Sequence, residues 1–223
     1  SVASSGTPSC INPQTSSVTL TVLPLPTVSV AVSPTPICSG NVATFIFTGT
    51  PNATVTYNIN GGANQTLVLN GAGTATLTGT YTANTTINII SVASSGTPSC
   101  VNPQTSSVTL TIQPLPTVSV SVSPTTLCSG DSATFTFTGT PNATVTYNIN
   151  GGANQTIVLN GTGTATLTGT YTANTTINIV SVASSGTPSC VNPQTSSVTL
   201  TIQPLPTVSV SVSPTTLCSG DSA

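Results

Sequence analysis

Six cysteines are the most reactive side chains in this sequence: Cys10, Cys38, Cys100, Cys128, Cys190 and Cys218. They recur at regular positions, form no CxxC pair and have no histidine to join them, so they point to disulfides in a secreted protein rather than to metal ligation. The ionisable carboxylates are Asp131 and Asp221, and Lys, Arg, His and Glu do not occur. Acid–base and nucleophilic catalysis need a titratable group set against a nucleophile. Serine and threonine are plentiful here, but a hydroxyl without a base beside it is inert. The sequence therefore reads as a non-enzyme with no cofactor. The segment GDSAT falls far short of the several oxygen ligands that calcium needs. Two Gly-rich segments, NGGANQ (150–155) and NGTGT (160–164), lack the lysine and following helix of a phosphate loop and read as hairpin turns.

The same composition limits the partners. Phosphate backbones and anionic membrane surfaces are bound by Lys and Arg, which are absent, so no nucleic acid is expected. Apolar residues make up 36% of the chain and alternate with Thr, Ser or Asn, so no run approaches the roughly 20 residues of a membrane-spanning helix and no direct membrane insertion is expected. Triplets Asn-X-Thr at Asn52, Asn64, Asn84, Asn142, Asn154, Asn160 and Asn174 match N-glycan acceptors, but Asn and Thr are also the ordinary turn and surface residues of such a chain.

The elements that must position the cysteines repeat. SVASSGTPSC begins at residues 1, 91 and 181, a period of 90. Residues 181–223 reproduce 91–133 unchanged, whereas 1–90 and 91–180 differ at a dozen positions. Such a period is too long for a solenoid turn and suits a whole sandwich domain. Proline splices PLPT mark the cuts, giving the C-terminal part of a preceding module (1–25), two modules (26–115 and 116–205) and the opening strand of a following one (206–223). The chain reads as a window from a longer repetitive polypeptide whose secretion signal and anchor lie outside it.

Within residues 116–205, period-2 alternation recurs between Gly, Pro and Asn turn signals, as an antiparallel all-β sandwich requires. TVSVSVS (117–123) predicts a first strand with Val118, Val120 and Val122 inward, and SATFTFTG (132–139) a second with Ala133, Phe135 and Phe137 inward. ATVTYNIN (143–150) predicts a third, burying Val145, Tyr147 and Ile149. QTIVLN (155–160), GTATLTGTY (163–171), TTINIVSVA (175–183) and SVTLTIQ (197–203) complete the set. No window has helical period. The exchange Ile46 to Thr136 falls on an outer face, and Leu67 to Ile157 and Ile37 to Leu127 conserve buried volume. In NIVSVAS the apolar set shifts from Ile177 and Ile179 to Val180 and Val182, which implies a β-bulge or a stretch apolar on both faces.

ICSG or LCSG before the second strand, a cysteine in the loop before the last strand and a PLP-type splice together resemble the tandem immunoglobulin-like repeats of giant surface adhesins in Bacteroidota. Those proteins leave the cell by type IX secretion, and some act in gliding motility. The resemblance implies a fold of tandem Ig-like antiparallel β-sandwich modules in a linear rod, on an extracellular fibre tethered to the outer membrane. It also implies a modification: Asp131-Ser132-Ala133 and Asp221-Ser222-Ala223 look like the O-glycosylation acceptor of that phylum, at Ser132 and Ser222, unless GDSA is a plain turn. Asn41-Val42-Ala43 departs from the pattern and is expected to stay unmodified. The leading functional reading is a structural stalk that spaces an adhesive region from the cell and assembles laterally with copies of itself, since near-zero charge and strand edges without Lys offer no repulsion. The alternative is a module that binds surface polysaccharide. A remoter one is ice or mineral binding by Thr rows, which the twist of a sandwich would spoil.

Two pairings of the cysteines stay open. Cys100 and Cys128 are not partners, because consecutive extended strands at ~3.4 Å per residue separate them by far more than the roughly 7 Å that α-carbons of a disulfide allow. Cys38 with Cys100, and Cys128 with Cys190, would close each module on itself. In an ordinary Ig topology, however, the loop after the first strand and the loop before the last lie at opposite ends. This favours a junction clasp of Cys38 with Cys190, with Cys10 and Cys218 paired outside the window.

Overall fold

The computed structural model describes residues 2–213, 215–216, 218–220 and 222. Among them the secondary structure is strand, turn and extended chain. The strands are β1 (Val2–Ala3), β2 (Ile11–Asn12), β3 (Val28–Ser33), β4 (Ile37–Cys38), β5 (Asn41–Gly49), β6 (Thr54–Ile59), β7 (Gln65–Val68), β8 (Thr74–Tyr81), β9 (Thr85–Ala93), β10 (Val101–Pro103), β11 (Ser107–Leu110) and β12 (Ile112–Gln113). They continue as β13 (Val118–Ser123), β14 (Thr126–Cys128), β15 (Ser132–Gly139), β16 (Thr144–Ile149), β17 (Gln155–Val158), β18 (Thr164–Thr170), β19 (Thr175–Ala183), β20 (Val191–Pro193) and β21 (Ser197–Gln203). No helix of the described residues is long and apolar enough to cross a membrane.

The chain divides into two compact units. One comprises Ser1–Ser33, Ala43–Gly79 and Thr85–Leu110, and the other Pro34–Val42, Thr80–Asn84 and Thr111–Ala223. The first is built on a sheet in the order β3-β5-β8 and a sheet in the order β10-β9-β6-β7, with β11 also pairing β9. Its interior is the inward set of these strands: Phe45, Phe47, Val55, Tyr57, Ile87, Ile89, Val92 and Leu110 are all buried. Residues 13–27 belong to no strand, and Val18, Leu20 and Val22 are exposed there.

The second unit carries a sheet in the order β13-β15-β18, a sheet in the order β14-β21-β19-β16-β17 with β20 also on β19, and the short pair β12-β4. Two such sheets closed over one core form an immunoglobulin-like sandwich, here with the fourth strand β17 beside the third, β16. Alternation fills the core from both sheets: Ala133, Phe135 and Phe137 from β15 meet Val145 and Tyr147 from β16, Ile177, Ile179 and Val182 from β19 and Leu200 from β21. The Phe137 and Tyr147 rings lie 5.2 Å apart at 52°, and Phe135 and Tyr171 5.7 Å apart at 76°. Outer faces are tied by hydroxyl pairs such as Thr134–Thr168 and Thr176–Thr199, each 2.9 Å.

Four details depart from the alternation pattern or complete it. The first strand changes sheet: Val118–Ser123 pairs antiparallel with β15, the chain turns at a cis Ser123–Pro124 bond, and Thr126–Cys128 then pairs parallel with β21. At the end of β19 the register against β16 skips from Ile179 opposite Tyr147 to Ser181 opposite Thr146, so Val180 is the extra residue of a β-bulge and the inward set resumes at Val182. The carbonyl of Val180 accepts from Gln194 N at 2.9 Å. Ile149, expected to be buried, is only half-buried because it is the last residue of β16, beside the turn at Asn150 and Gly151. Gly163 holds φ at +77°, and a Cβ there would lie 2.2 Å from the Gly139 carbonyl oxygen, so no other residue fits.

Candidate functional site

In the second unit a short loop closes on a socket. The socket begins with β4 beside β12, parallel, with Ile37 opposite Ile112 and Cys38 opposite Gln113. A two-residue strand holds position only if its backbone donors find partners, and here they do. Ile37 N donates to Thr111 O (3.0 Å) and Ser39 N to Gln113 O (2.9 Å). Gly40, at φ +88°, turns the chain so that its N–H reaches Tyr81 O at 2.9 Å. The β12 side is held by side chains: Ile112 N donates to Asn84 Oδ1 (2.7 Å) and Thr111 N to Thr35 Oγ1 (3.2 Å).

The loop is residues 184–190, SSGTPSC. One serine ties both of its ends. Ser184 N donates to Cys190 O (2.9 Å), Cys190 N donates to Ser184 Oγ (2.9 Å), and Ser189 Oγ donates to Ser184 O (2.8 Å). Beyond the loop, β20 pairs with β19, and Asn192 Nδ2 donates to Pro116 O at 2.9 Å, which fixes the proline splice to the same element.

Loop and socket meet at two points. Gln113 Nε2 donates to Thr187 O at 3.0 Å, with Gly186 packed so close that a Cβ would lie 2.9 Å from Gln113 Oε1. Cys38 and Cys190 are joined by a disulfide, with an S–S distance of 2.03 Å, 5.5 Å between α-carbons and a sequence separation of 152. Cys190 is 0% and Cys38 8% exposed. A thiolate must reach a sulfur in line to exchange it, so burial protects this bond from small thiols.

The remaining cysteines are free thiols: Cys10, Cys128 and Cys218 are exposed and Cys100 is half-buried. An internal bond from Cys128 to Cys190 does not form, for a geometric reason. Cys128 lies opposite Gln203 in the β14–β21 register, and the neighbouring Ile202 N bonds Asn174 Oδ1, which places it at the start of β19. Cys190 follows Ala183 at the far end of that strand, about 30 Å away at ~3.3 Å per residue. The equivalent pair Cys38 and Cys100 is likewise unbonded, since Cys38 is bonded to Cys190.

Ser132 is exposed at the start of β15, opposite Thr170. Its predecessor Asp131 forms a turn by backbone bonds alone, N–H to Cys128 O (3.1 Å) and carbonyl from Tyr171 N (3.0 Å). Ser222 is exposed, while its neighbours Asp221 and Ala223 lie outside the described residues. Among the Asn-X-Thr triplets, Asn84, Asn160 and Asn174 direct their side-chain oxygens onto backbone donors. Among the described residues no group of three or more His, Cys, Asp or Glu is placed to hold a metal ion.

No protein-family model matches the chain, and no curated protein does. Among solved structures it is similar to a marsupial T cell receptor (TM-score 0.46, 11% identity, 83% of this chain and 76% of that one). It is also similar to a C-terminal 282-residue fragment of intimin in complex with the intimin-binding domain of its translocated receptor (TM-score 0.39, 18% identity, 78% of this chain and 64% of that one). A third is the ligand-binding domain of human OSCAR (TM-score 0.34, 12% identity, 78% and 97%). With TM-scores below 0.5 these likenesses assign neither ligand nor role to the chain.

Proposed function

We propose that this chain is a structural repeat segment of an extracellular fibre or adhesin stalk on a cell surface. The observation that carries the reading is the buried Cys38–Cys190 bond, which ties a socket in residues 26–115 to a loop in residues 116–205. Such a bond persists in an oxidising compartment. Near-identical repeats suit a spacer, whose task asks only for length and firm joints, and a chain without Lys, His or Arg has little with which to grip a charged ligand. Antibodies raised against the chain should decorate thin surface fibres on intact cells by electron microscopy. Labelling that appears only after lysis would sink the reading. On a glycan array the chain is expected to bind nothing selectively, and a reproducible polysaccharide ligand would move the role from spacer to adhesive module.

A further inference from the structure

The second unit contains a second socket, and it is open. β14 runs parallel to β21 as β4 does to β12, with Cys128 opposite Gln203 where Cys38 is opposite Gln113. Ser129 N donates to Gln203 O at 3.0 Å, Gly130 N to Tyr171 O at 2.9 Å and Ile202 N to Asn174 Oδ1 at 2.7 Å. The corresponding bonds of Ser39, Gly40 and Ile112 measure 2.9, 2.9 and 2.7 Å. Gln203, whose counterpart Gln113 holds the Thr187 carbonyl, is exposed, and so is Cys128.

The matching loop also takes its form without being bonded. Residues 94–100 repeat 184–190 residue for residue, and their bonds are the same: Ser94 N to Cys100 O 2.9 Å, Cys100 N to Ser94 Oγ 2.9 Å and Ser99 Oγ to Ser94 O 2.8 Å. Yet the Cys100 thiol is free. Socket and loop are each preorganised, so docking costs little ordering of either.

We propose that the Cys128 socket is the docking site for the SSGTPSC loop of a further copy of the repeat, the one that residues 206–223 open, and that Cys128 bonds that loop's cysteine. Each socket then holds the loop of the copy after it. The bond forms by exchange with a small-molecule disulfide such as oxidised glutathione. The Cys128 thiolate attacks it, expelling one glutathione thiolate and leaving a mixed disulfide. The loop cysteine's thiolate then attacks the Cys128 sulfur and expels the second. Two electrons pass to the small disulfide, and the two cysteine protons end on the two released thiols.

The test extends the Cys218→Ser chain past Ala223 by a copy of residues 134–205 that carries Val191→Ile, as at Ile11, so that the added loop's peptides differ in mass from those of Cys100 and Cys190. The chain is folded in a glutathione redox buffer and its bonds are mapped after digestion with pepsin. We expect Cys128 joined to the added copy of Cys190, beside an intact Cys38–Cys190 bond. Iodoacetamide should label Cys128 in the 223-residue chain and leave it unlabelled in the extended one. Cys128 that stays alkylatable in the extended chain, or that pairs with any other cysteine, overturns the proposal. A bond from Cys128 to Cys100 of a second molecule overturns it too, since the loop would then come from another chain. In the extended chain, Gln203→Ala removes the donor whose counterpart Gln113 holds the Thr187 carbonyl. It should slow formation of the Cys128 linkage about fivefold, the worth of one hydrogen bond, while Cys38–Cys190 still forms, and an undiminished rate would show that the socket does not seat the loop.

Discussion

At the scale of the residue, two cysteines of closely similar local setting have different fates. Cys38 is covered and bonded, whereas Cys128 is exposed and free, although the bonds donated by Ser39, Gly40 and Ile112 and by Ser129, Gly130 and Ile202 agree to 0.1 Å. The chief difference is the loop above the Cys38 sulfur; a lesser one is that Thr111 N donates to Thr35 Oγ1 and Thr201 N to Thr125 O. Cys38→Ser should therefore cost about 3–5 kcal/mol, the upper figure being the chain-entropy value for so long a closed loop. Cys128→Ser should change stability by less than about 0.5 kcal/mol. Urea denaturation of both variants with and without reductant checks this, since reductant should erase the difference between Cys38→Ser and the parent. A glycine shows the opposite kind of dependence. Gly163 lies in NGTGT, which is not the hairpin turn expected but the crossing from β17 in one sheet to β18 in the other. Gly163→Ala would force a Cβ into the Gly139 carbonyl at a positive φ, so it should be the most damaging single methyl in that crossing.

At the scale of the element, the sandwich stands on the inward residues of β15, β16 and β19. Phe137→Ala removes a fully buried ring in contact with Tyr147 and should cost about 3–5 kcal/mol. Ile46→Thr, on the outer face of β5, should stay within about 0.5 kcal/mol, as Thr136 occupies the equivalent place in β15. Thermal melts of the two variants separate these outcomes. Much of this was legible beforehand, because alternation is a property of single side chains: the bounds of β15, β19 and β21 follow from SATFTFTG, TTINIVSVA and SVTLTIQ. Strands β14 and β20 were not, since three residues leave no room for a period to show and both owe their place to the neighbouring strand. At Val180 the sequence offered two readings, and only the partner strand's register distinguishes a bulge from a two-faced apolar stretch. The cysteines announced disulfides, but the socket was invisible, because apart from the Gln113 amide its donors are backbone N–H groups, and its acceptors are carbonyls and the Asn84 and Thr35 side-chain oxygens, with no sequence signature.

At the scale of the whole molecule, titration has few handles. Tyr171 is one: burial, and then the neighbouring Tyr147 phenol, raise its pKa above the ordinary 10.0. The folded chain thus holds this proton more tightly than the unfolded chain does. The associated stability is complete below about pH 10 and is lost as pH climbs through the raised value. Urea midpoints measured from neutral pH upward should fall in that alkaline range, and Tyr171→Phe should lessen the fall. A midpoint that rises there would contradict the sign.

The Cys38–Cys190 bond also sets which part of the chain can bear load. A force applied to the chain on either side of these two residues passes through the sulfur–sulfur bond, and the stretch between them, a sequence separation of 152, is bypassed. Fully extended, that stretch would add roughly 500 Å of contour length at about 3.4 Å per residue, all of it held in reserve while the bond is closed. Pulling single molecules in an atomic force microscope should release only the segments outside the loop under oxidising conditions. Cys38→Ser should yield the missing length. The bond thus works as a mechanical shunt, which lets the enclosed β-sheets remain folded at forces that would otherwise unravel them in turn.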